Sequence, residues 1–245
     1  MSFEYVVSGF RVACNRELSD LDSEGFADLD LEVQFRGDDL EPDGAPTALC
    51  AAGDLRGTLF ADHSVLVVQA QPESPVDASW CVRQLIPLVS ATLGRLVLHA
   101  GGNDLGEGSL LFVGQSGRGK STLALALSRL GYPRIADDVA PIRFLPRAAT
   151  GCGDRLQPIS HIVFLMERGG DSADLRKLDE PTAIRQHIQD GFGEHNLPSA
   201  WAIQFDQYHQ LVSSISHWSL RLPDDEASLE RSAVTVIEQL TKGNA

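Results

Sequence analysis

Residues 114 to 122 read Gly114-Gln115-Ser116-Gly117-Arg118-Gly119-Lys120-Ser121-Thr122, a complete G-x-x-x-x-G-K-[ST] pattern. Glycines at these spacings let a backbone turn tightly and aim successive N–H groups at one anion, and the positive end of the following helix adds to the attraction. Lys120 can reach the β- and γ-phosphates of a nucleoside triphosphate, and the Ser121 hydroxyl can ligate Mg2+. Arg118 occupies a variable position of the pattern, either as an extra phosphate contact or facing solvent. A chance glycine-rich turn is the bland alternative. Against it stand the flanks: the apolar run Ser109–Val113 before the turn, and Leu123–Leu130, rich in helix formers and closed by Gly131, after it. Strand, turn and helix in this order are the context that the motif needs.

A short way past Lys120 comes Arg134-Ile135-Ala136-Asp137-Asp138-Val139. A short strand ending in paired carboxylates beside a phosphate site reads as a metal and acid–base pair, one acid holding Mg2+ and the other accepting a proton from an attacking hydroxyl. Read alone, the same pair could simply end a strand in solvent. Upstream, His99 ends the apolar stretch Leu96–Leu98, and the next strand leads into the glycine loop. Residues at strand ends of open α/β sheets meet in the crevice where ligands bind. A satisfied structural histidine is the commoner use of such a position.

Taken in order, Leu98-His99-Ala100, Gly114–Thr122 and Ala136-Asp137-Asp138 resemble the HPr kinase/phosphorylase family. More closely, they look like the HPr-kinase-like proteins of bacterial peptide-biosynthesis and other gene clusters. The resemblance spans roughly residues 75 to 245 and is strongest from 95 to 145. It implies an α/β P-loop core of the type shared with the ATP-dependent phosphoenolpyruvate carboxykinases. It also implies ATP- and Mg2+-dependent transfer of the γ-phosphoryl group to a serine or other hydroxyl of a protein or peptide. By residue match, Lys120 binds phosphate, Ser121 and Asp138 serve the metal, Asp137 accepts the proton, and His99 lies beside the catalytic acid. The family's Glu-x-Arg-Gly signature, whose glutamate is a metal ligand, matches Glu167 only after a local shift; a charged strand exit at Glu167-Arg168-Gly169 is the simpler alternative. The family's late basic loop has no counterpart, since Trp201–Gln210 carries neither Arg nor Lys. The phosphorylase activity and the carrier-protein substrate therefore do not carry over. A homo-oligomer is implied by the resemblance alone.

The elements that must position these residues follow from composition and periodicity. With 245 residues, 43% hydrophobic and 22% charged, the chain can bury a substantial core as one large or two small domains. Its formal net charge of −14 argues against nucleic acid and against an anionic membrane surface as partners. Neither a leader nor a spanning apolar run is evident, and Cys14, Cys50, Cys81 and Cys152 lack the short spacings of a zinc site or disulfide framework. A reducing cytoplasm fits best.

Organisation changes near residue 75. Residues 1–74 predict a small antiparallel β domain: a strand from Tyr5 to Val12, Leu29–Phe35 alternating apolar with polar, a loop over Asp38–Thr47, then Thr58–Phe60 and Val65–Val68. This domain is a candidate docking module, or else plain scaffold. Residues 75–245 predict the catalytic domain. It opens with a helix over Asp77–Leu93, kinked or divided at Pro87. Later come a strand over His161–Gly169, a helix from Pro181 to Asp190 with Arg185 and His187 as candidate substrate contacts, a strand within Leu211–Leu222, and a closing helix from Asp224-Asp225-Glu226 through Leu240. Three other functions remain open on these residues: a small-molecule kinase using the same site, a carboxykinase-like enzyme, which would need an arginine and lysine set for an organic acid that these residues do not assemble, and a nucleotide-dependent binding module without transfer.

Overall fold

The computed structural model describes residues 3–7, 10–14, 29–36, 48–52, 55–60, 65–69, 89–90, 95–136, 140–144, 157–190, 198–225 and 228–242. The chain divides into two compact units, residues 1–95 with 153–155, and residues 96–152 with 156–245. The predicted boundary at 75 and most of the predicted helix over Asp77–Leu93 fall outside the described residues.

The first unit holds β1 (Phe3–Val7), β2 (Phe10–Cys14), β3 (Leu29–Arg36), β4 (Ala48–Ala52), β5 (Leu55–Phe60) and β6 (Val65–Gln69) in one sheet ordered β1-β2-β3-β6-β5-β4. Alternation works as the sequence suggests: Tyr5, Val12, Cys14, Leu31 and Val33 are buried, while Glu4, Arg11 and Glu32 are exposed. Two expectations are corrected. The single strand over Tyr5–Val12 is a hairpin, with Phe3 registered on Cys14 and Val7 on Phe10. The sheet is also mixed rather than antiparallel, because β3 runs parallel to both β2 and β6. Strands separated by only a few residues pair antiparallel, as in β1–β2, β4–β5 and β5–β6. The long connections either side of β3 remove that constraint. Strand β4 has no strong signal in Ala-Leu-Cys-Ala-Ala and was not expected.

The second unit is a mixed α/β structure. Its main sheet contains β8 (Ala100–Asp104), β9 (Ser109–Val113), β10 (Arg134–Ala136), β12 (Ile159–Leu165), β13 (Asp174–Lys177) and β14 (Ser216–Arg221), ordered β10-β8-β9-β12-β14-β13. A separate antiparallel pair joins β7 (Leu96–Leu98) to β11 (Ala140–Ile142). Strands β9, β12 and β14 are parallel neighbours, so their C-terminal ends share one edge.

Helices cover both faces, which explains why β9 and β12 are almost uninterruptedly apolar. Leu110, Phe112, Val163 and Leu165 pack with α1 (Lys120–Arg129) and α4 (Leu229–Lys242). Leu111, Val113, Ile162 and Phe164 face the opposite way, toward α2 (Glu180–Asp190) and α3 (Pro198–Ser214). Helix α3 was not expected. Its Pro198 start suits a first helical turn, where the missing N–H has no partner to lose. Helix α4 begins at Leu229, later than the acidic run suggested. Among the described residues, no helix is long and apolar enough to cross a membrane.

The layer between the sheet and α2–α3 contains a buried histidine pair. His187 Nε2 and His217 Nε2 are 2.9 Å apart, and His217 Nδ1 lies 2.9 Å from the Ile215 carbonyl oxygen. The carbonyl can only accept, so His217 carries its proton on Nδ1 and leaves Nε2 as an acceptor. His187 therefore donates from Nε2, and its buried Nδ1 is left without a partner. His187 also packs edge-on against Phe164 and stacks on Tyr208, with ring centroids 4.8 and 5.0 Å away. This corrects His187 as a substrate contact: it is fully buried core. Arg185 is exposed and donates to Thr182 Oγ1 on its own helix.

Burial pushes the His217 pKa down to about 4, partly opposed by its bond to Ile215, and pushes that of His187 well below 6.5. As pH falls below 6.5, the unfolded chain binds protons that the folded pair refuses. The stability contribution is thus whole above that pH and shrinks toward pH 4. For His217 alone the loss at pH 5 is about 2 kcal/mol. Thermal melting followed from pH 7.5 to 5 should show a falling midpoint, and His187→Phe should flatten the slope. An identical slope in that variant would locate the acid sensitivity elsewhere.

Candidate functional site around the 114–119 loop

The shared C-terminal edge of β9, β12 and β14 gathers the chemistry-bearing residues. Strand β9 ends at Val113, the chain turns through Gly114–Gly119, and α1 starts at Lys120. Strand, turn and helix therefore lie where the sequence pattern sets them. Gly114 is confined: a methyl group there would sit 3.0 Å from the Leu165 carbonyl oxygen at the end of the neighbouring strand. Gly119, the residue capping α1, has φ 102° and ψ 18°, a left-handed backbone that side chains disfavour. No side chain caps the helix and no acid lies in its first turn. The positive end of its dipole suits an anion.

Lys120 is 7% exposed, and its Nζ donates to the carbonyl oxygens of Gly114 (2.7 Å) and Gln115 (3.2 Å). The ammonium thus folds back into the turn and sits inside the ring of backbone. Gln115, Ser116 and Gly117 are exposed at the outer rim, as are Ser121 and Thr122 on the first turn of α1. Arg118 is partly buried. It donates to Glu167 Oε1 at 3.2 Å and approaches Gln115 Oε1 at 3.5 Å. Glu167 stands just past the end of β12, with its side chain 86% exposed. The structure therefore brings Glu167 to the loop and gives it Arg118 as partner.

His99 does not end its strand, contrary to the sequence expectation. It is the half-buried break between β7 and β8, because β7 pairs with β11 whereas β8 pairs with β9 and β10. Ala100 is registered on Val113, so His99 lies at the level where Gly114 leaves β9. Asp137 and Asp138 lie outside the described residues. The residues that flank them are described: Ala136 is registered on Gly102, and Ala140 on Leu98. Those anchors stand on either side of His99.

Two contributors escaped the sequence reading. Asn103, fully buried on β8, donates from Nδ2 to the Ala124 and Tyr132 carbonyl oxygens, both at 2.9 Å. It pins α1 and the turn that follows it against the sheet. The Lys120 backbone and Ala124 pack over Gly101 at ordinary contact distance, 3.5 and 3.6 Å from where its Cβ would be. The signal was a polar residue inside a small-residue strand, Ala-Gly-Gly-Asn-Asp. The second is Arg168, whose Nη2 would be 3.4 Å from a methyl group on Gly119. Its adjacency to Glu167 was visible in the sequence. The proximity of β12 to the loop was not.

Ser121 and Glu167 are hard oxygen donors beside the loop. Mg2+ in phosphate sites takes one or two protein carboxylates together with phosphate oxygens, so this donor set fits that ion. Among the described residues, no group of three or more His, Cys, Asp or Glu side chains could hold a metal without such a ligand.

No protein-family profile matches the chain, and no curated protein does. Among solved structures, it is similar to the HPr(Ser) kinase/phosphatase from Coxiella burnetii, with 14% identity and a TM-score of 0.35. That match covers 60% of this chain and 98% of the other.

The contacts around the loop differ sharply in energetic weight. Asn103→Ala removes two bonds to buried or half-buried carbonyls and should cost about 2 kcal/mol, read as a lower denaturation midpoint. Glu167→Gln breaks only an exposed ion pair and should stay within ~0.5 kcal/mol of the parent. If Glu167→Gln were the more damaging change, the loop would depend on that pair for its shape.

Proposed function

We propose that this chain is an ATP- and Mg2+-dependent phosphotransferase of HPr-kinase type, built on a P-loop core, whose acceptor is a serine or other hydroxyl of a protein or peptide. The observation that carries this reading is Lys120: a buried ammonium folded into a glycine turn, at the positive end of α1. A cation, oriented N–H groups and a helix dipole in one place suit a polyphosphate. The sequence order of His99, the loop and the acid pair supports transfer rather than binding alone.

In this reading the backbone of Gln115–Lys120 cradles the phosphates, with Gly114, Ser116, Gly117, Arg118, Gly119 and Thr122 shaping the cradle. Ser121, Asp138 and Glu167 would hold Mg2+, which would supply neutralisation of phosphate charge. Glu167 would exchange Arg118 for the ion. Asp137 orients the acceptor hydroxyl and takes its proton. The acceptor oxygen forms a bond to the γ-phosphorus as the bond to the β,γ-bridging oxygen breaks, and ADP leaves with that electron pair. Lys120 stabilises the charge that builds on the leaving oxygen. His99 would assist the acid; support for this is that Ala136 and Ala140, which flank the acid pair in sequence, are registered on Gly102 and Leu98, on either side of His99. The transition state is loose, so positioning and charge neutralisation outweigh base strength.

Incubation with γ-labelled ATP, Mg2+ and candidate acceptor peptides, followed by mass mapping, should find phosphate on a hydroxyl side chain. Lys120→Ala should lower transfer by about two or more orders of magnitude. Asp137→Asn should retain nucleotide binding and lose turnover. Label appearing on a free small alcohol would make this a small-molecule kinase. Tight ATP binding with no transfer to any acceptor would make it a binding module, and wild-type rates in Asp137→Asn would remove that residue as the base.

A further inference from the structure

Strand β13 is an edge of the main sheet, paired with β14 on one side. Its hydrogen bonding fixes which main-chain groups face outward. Leu178 N donates to the His217 carbonyl oxygen at 2.9 Å, and an antiparallel ladder repeats every second residue, so Arg176 and Asp174 also direct their main-chain groups at β14. The far side of β14 agrees, because there the Leu220 and Leu222 carbonyl oxygens accept from Met166 and Gly169. Leu175 and Lys177 therefore turn their N–H and C=O groups away from the sheet. Among the described residues, none is hydrogen-bonded to those groups. The ladder has no bulge and the strand no proline, two devices that blunt an edge. The charge of Lys177 is drawn back over its own sheet, with Nζ 5.9 Å from the Trp218 ring centroid.

The residues of this edge are self-complementary. Asp174 and Arg176 share one face of β13, where their side chains pair at 2.6 Å and stay 39% and 72% exposed. Two copies joined edge to edge about a two-fold axis across their strands run antiparallel, and each residue meets the one related by that axis. Centring the axis on Asp174, Arg176 or Lys177 sets that residue against its own copy, like charge on like charge. Centring it on Leu175 does the reverse. Asp174 of each copy then stands opposite Arg176 of the other, and Lys177 stands opposite the small Ala173. Leu175, which packs on the layer beneath α1 and α4, meets a second leucine and extends that apolar layer. The outward main-chain groups of Leu175 bond to each other in the same register. We infer that the β13 edge is a homodimer interface, joining the main sheets of two copies through Leu175 and two reciprocal Asp174–Arg176 pairs. This stands apart from the phosphotransferase reading. One short strand per copy is a small interface, so the dimer forms in a concentration-dependent way.

The test is sedimentation velocity of the whole chain, from low to several hundred micromolar, for the parent, Asp174→Arg, Arg176→Asp and the double variant carrying both. The parent should dimerise as concentration rises. Each single change sets like charges opposite each other twice and should weaken self-association about tenfold, whereas the double exchange should restore it. Hydrogen exchange on the parent supplies a second reading that needs no variant: the Leu175 and Lys177 amides should slow as the dimer fills. A parent that stays monomeric throughout overturns the proposal, as does self-association untouched by both single changes. Protection of those two amides only on adding an extended peptide would give the edge to another chain, and overturns it equally.

Discussion

The arrangement around the loop depends on how helix α1 starts. It begins directly after a left-handed glycine, with no capping side chain and no acid in its first turn, so the positive end of its dipole is presented at the sheet edge. Leaving a helix start in this state costs stability, and ordinary helices avoid it with Ser, Thr, Asp or Asn. Here the Lys120 ammonium adds further positive charge to the same spot, kept in place by the Gly114 and Gln115 carbonyl oxygens. A chain with a formal net charge of −14 has concentrated positive potential at one small site. Local charge and overall charge therefore differ: a chain that is acidic overall places positive groups together at this one loop.

Holding that end in place requires rigid support from behind. Both faces of the sheet are covered, so β9 and β12 are anchored by apolar contacts on two sides, and the loop leaves a strand that cannot slide. Asn103 fixes the helix from the sheet side through two backbone carbonyls, and the small residues of β8 let α1 approach closely. Gly114 is pressed against the Leu165 carbonyl, which ties the start of the turn to the exit of β12. The same contact brings Glu167 and Arg168 within reach of the loop. Support and chemistry thus share a strand exit, and a change in β12 register would move both.

The buried histidines show a different economy. His187 and His217 lie against Phe164 and Tyr208, and burial favours both rings in the neutral form. One ring nitrogen remains an orphaned acceptor. Such a group gives a packed core a dependence on pH that an all-apolar layer lacks.

From the sequence alone, the strand, turn and helix around residues 109–130 were legible, because glycine spacing, apolar runs and helix propensity are local properties. The alternation in β3 and the continuous apolar run of β12 were legible for the same reason. What local pattern could not supply was pairing partner and direction. Hence the first sheet is mixed where an antiparallel one was expected, His99 interrupts rather than ends a strand, and helix α3 was unseen behind a stretch noted only for lacking basic residues. His187 looked like a surface residue on an amphipathic helix, and only its packing against β12 and α3 revealed it as core. Residue types told what chemistry the loop can do. Which residues stand beside it, Arg168 above all, was decided by the parallel register of β9 and β12, since contact across a sheet is set by long-range pairing that neighbours in sequence do not encode.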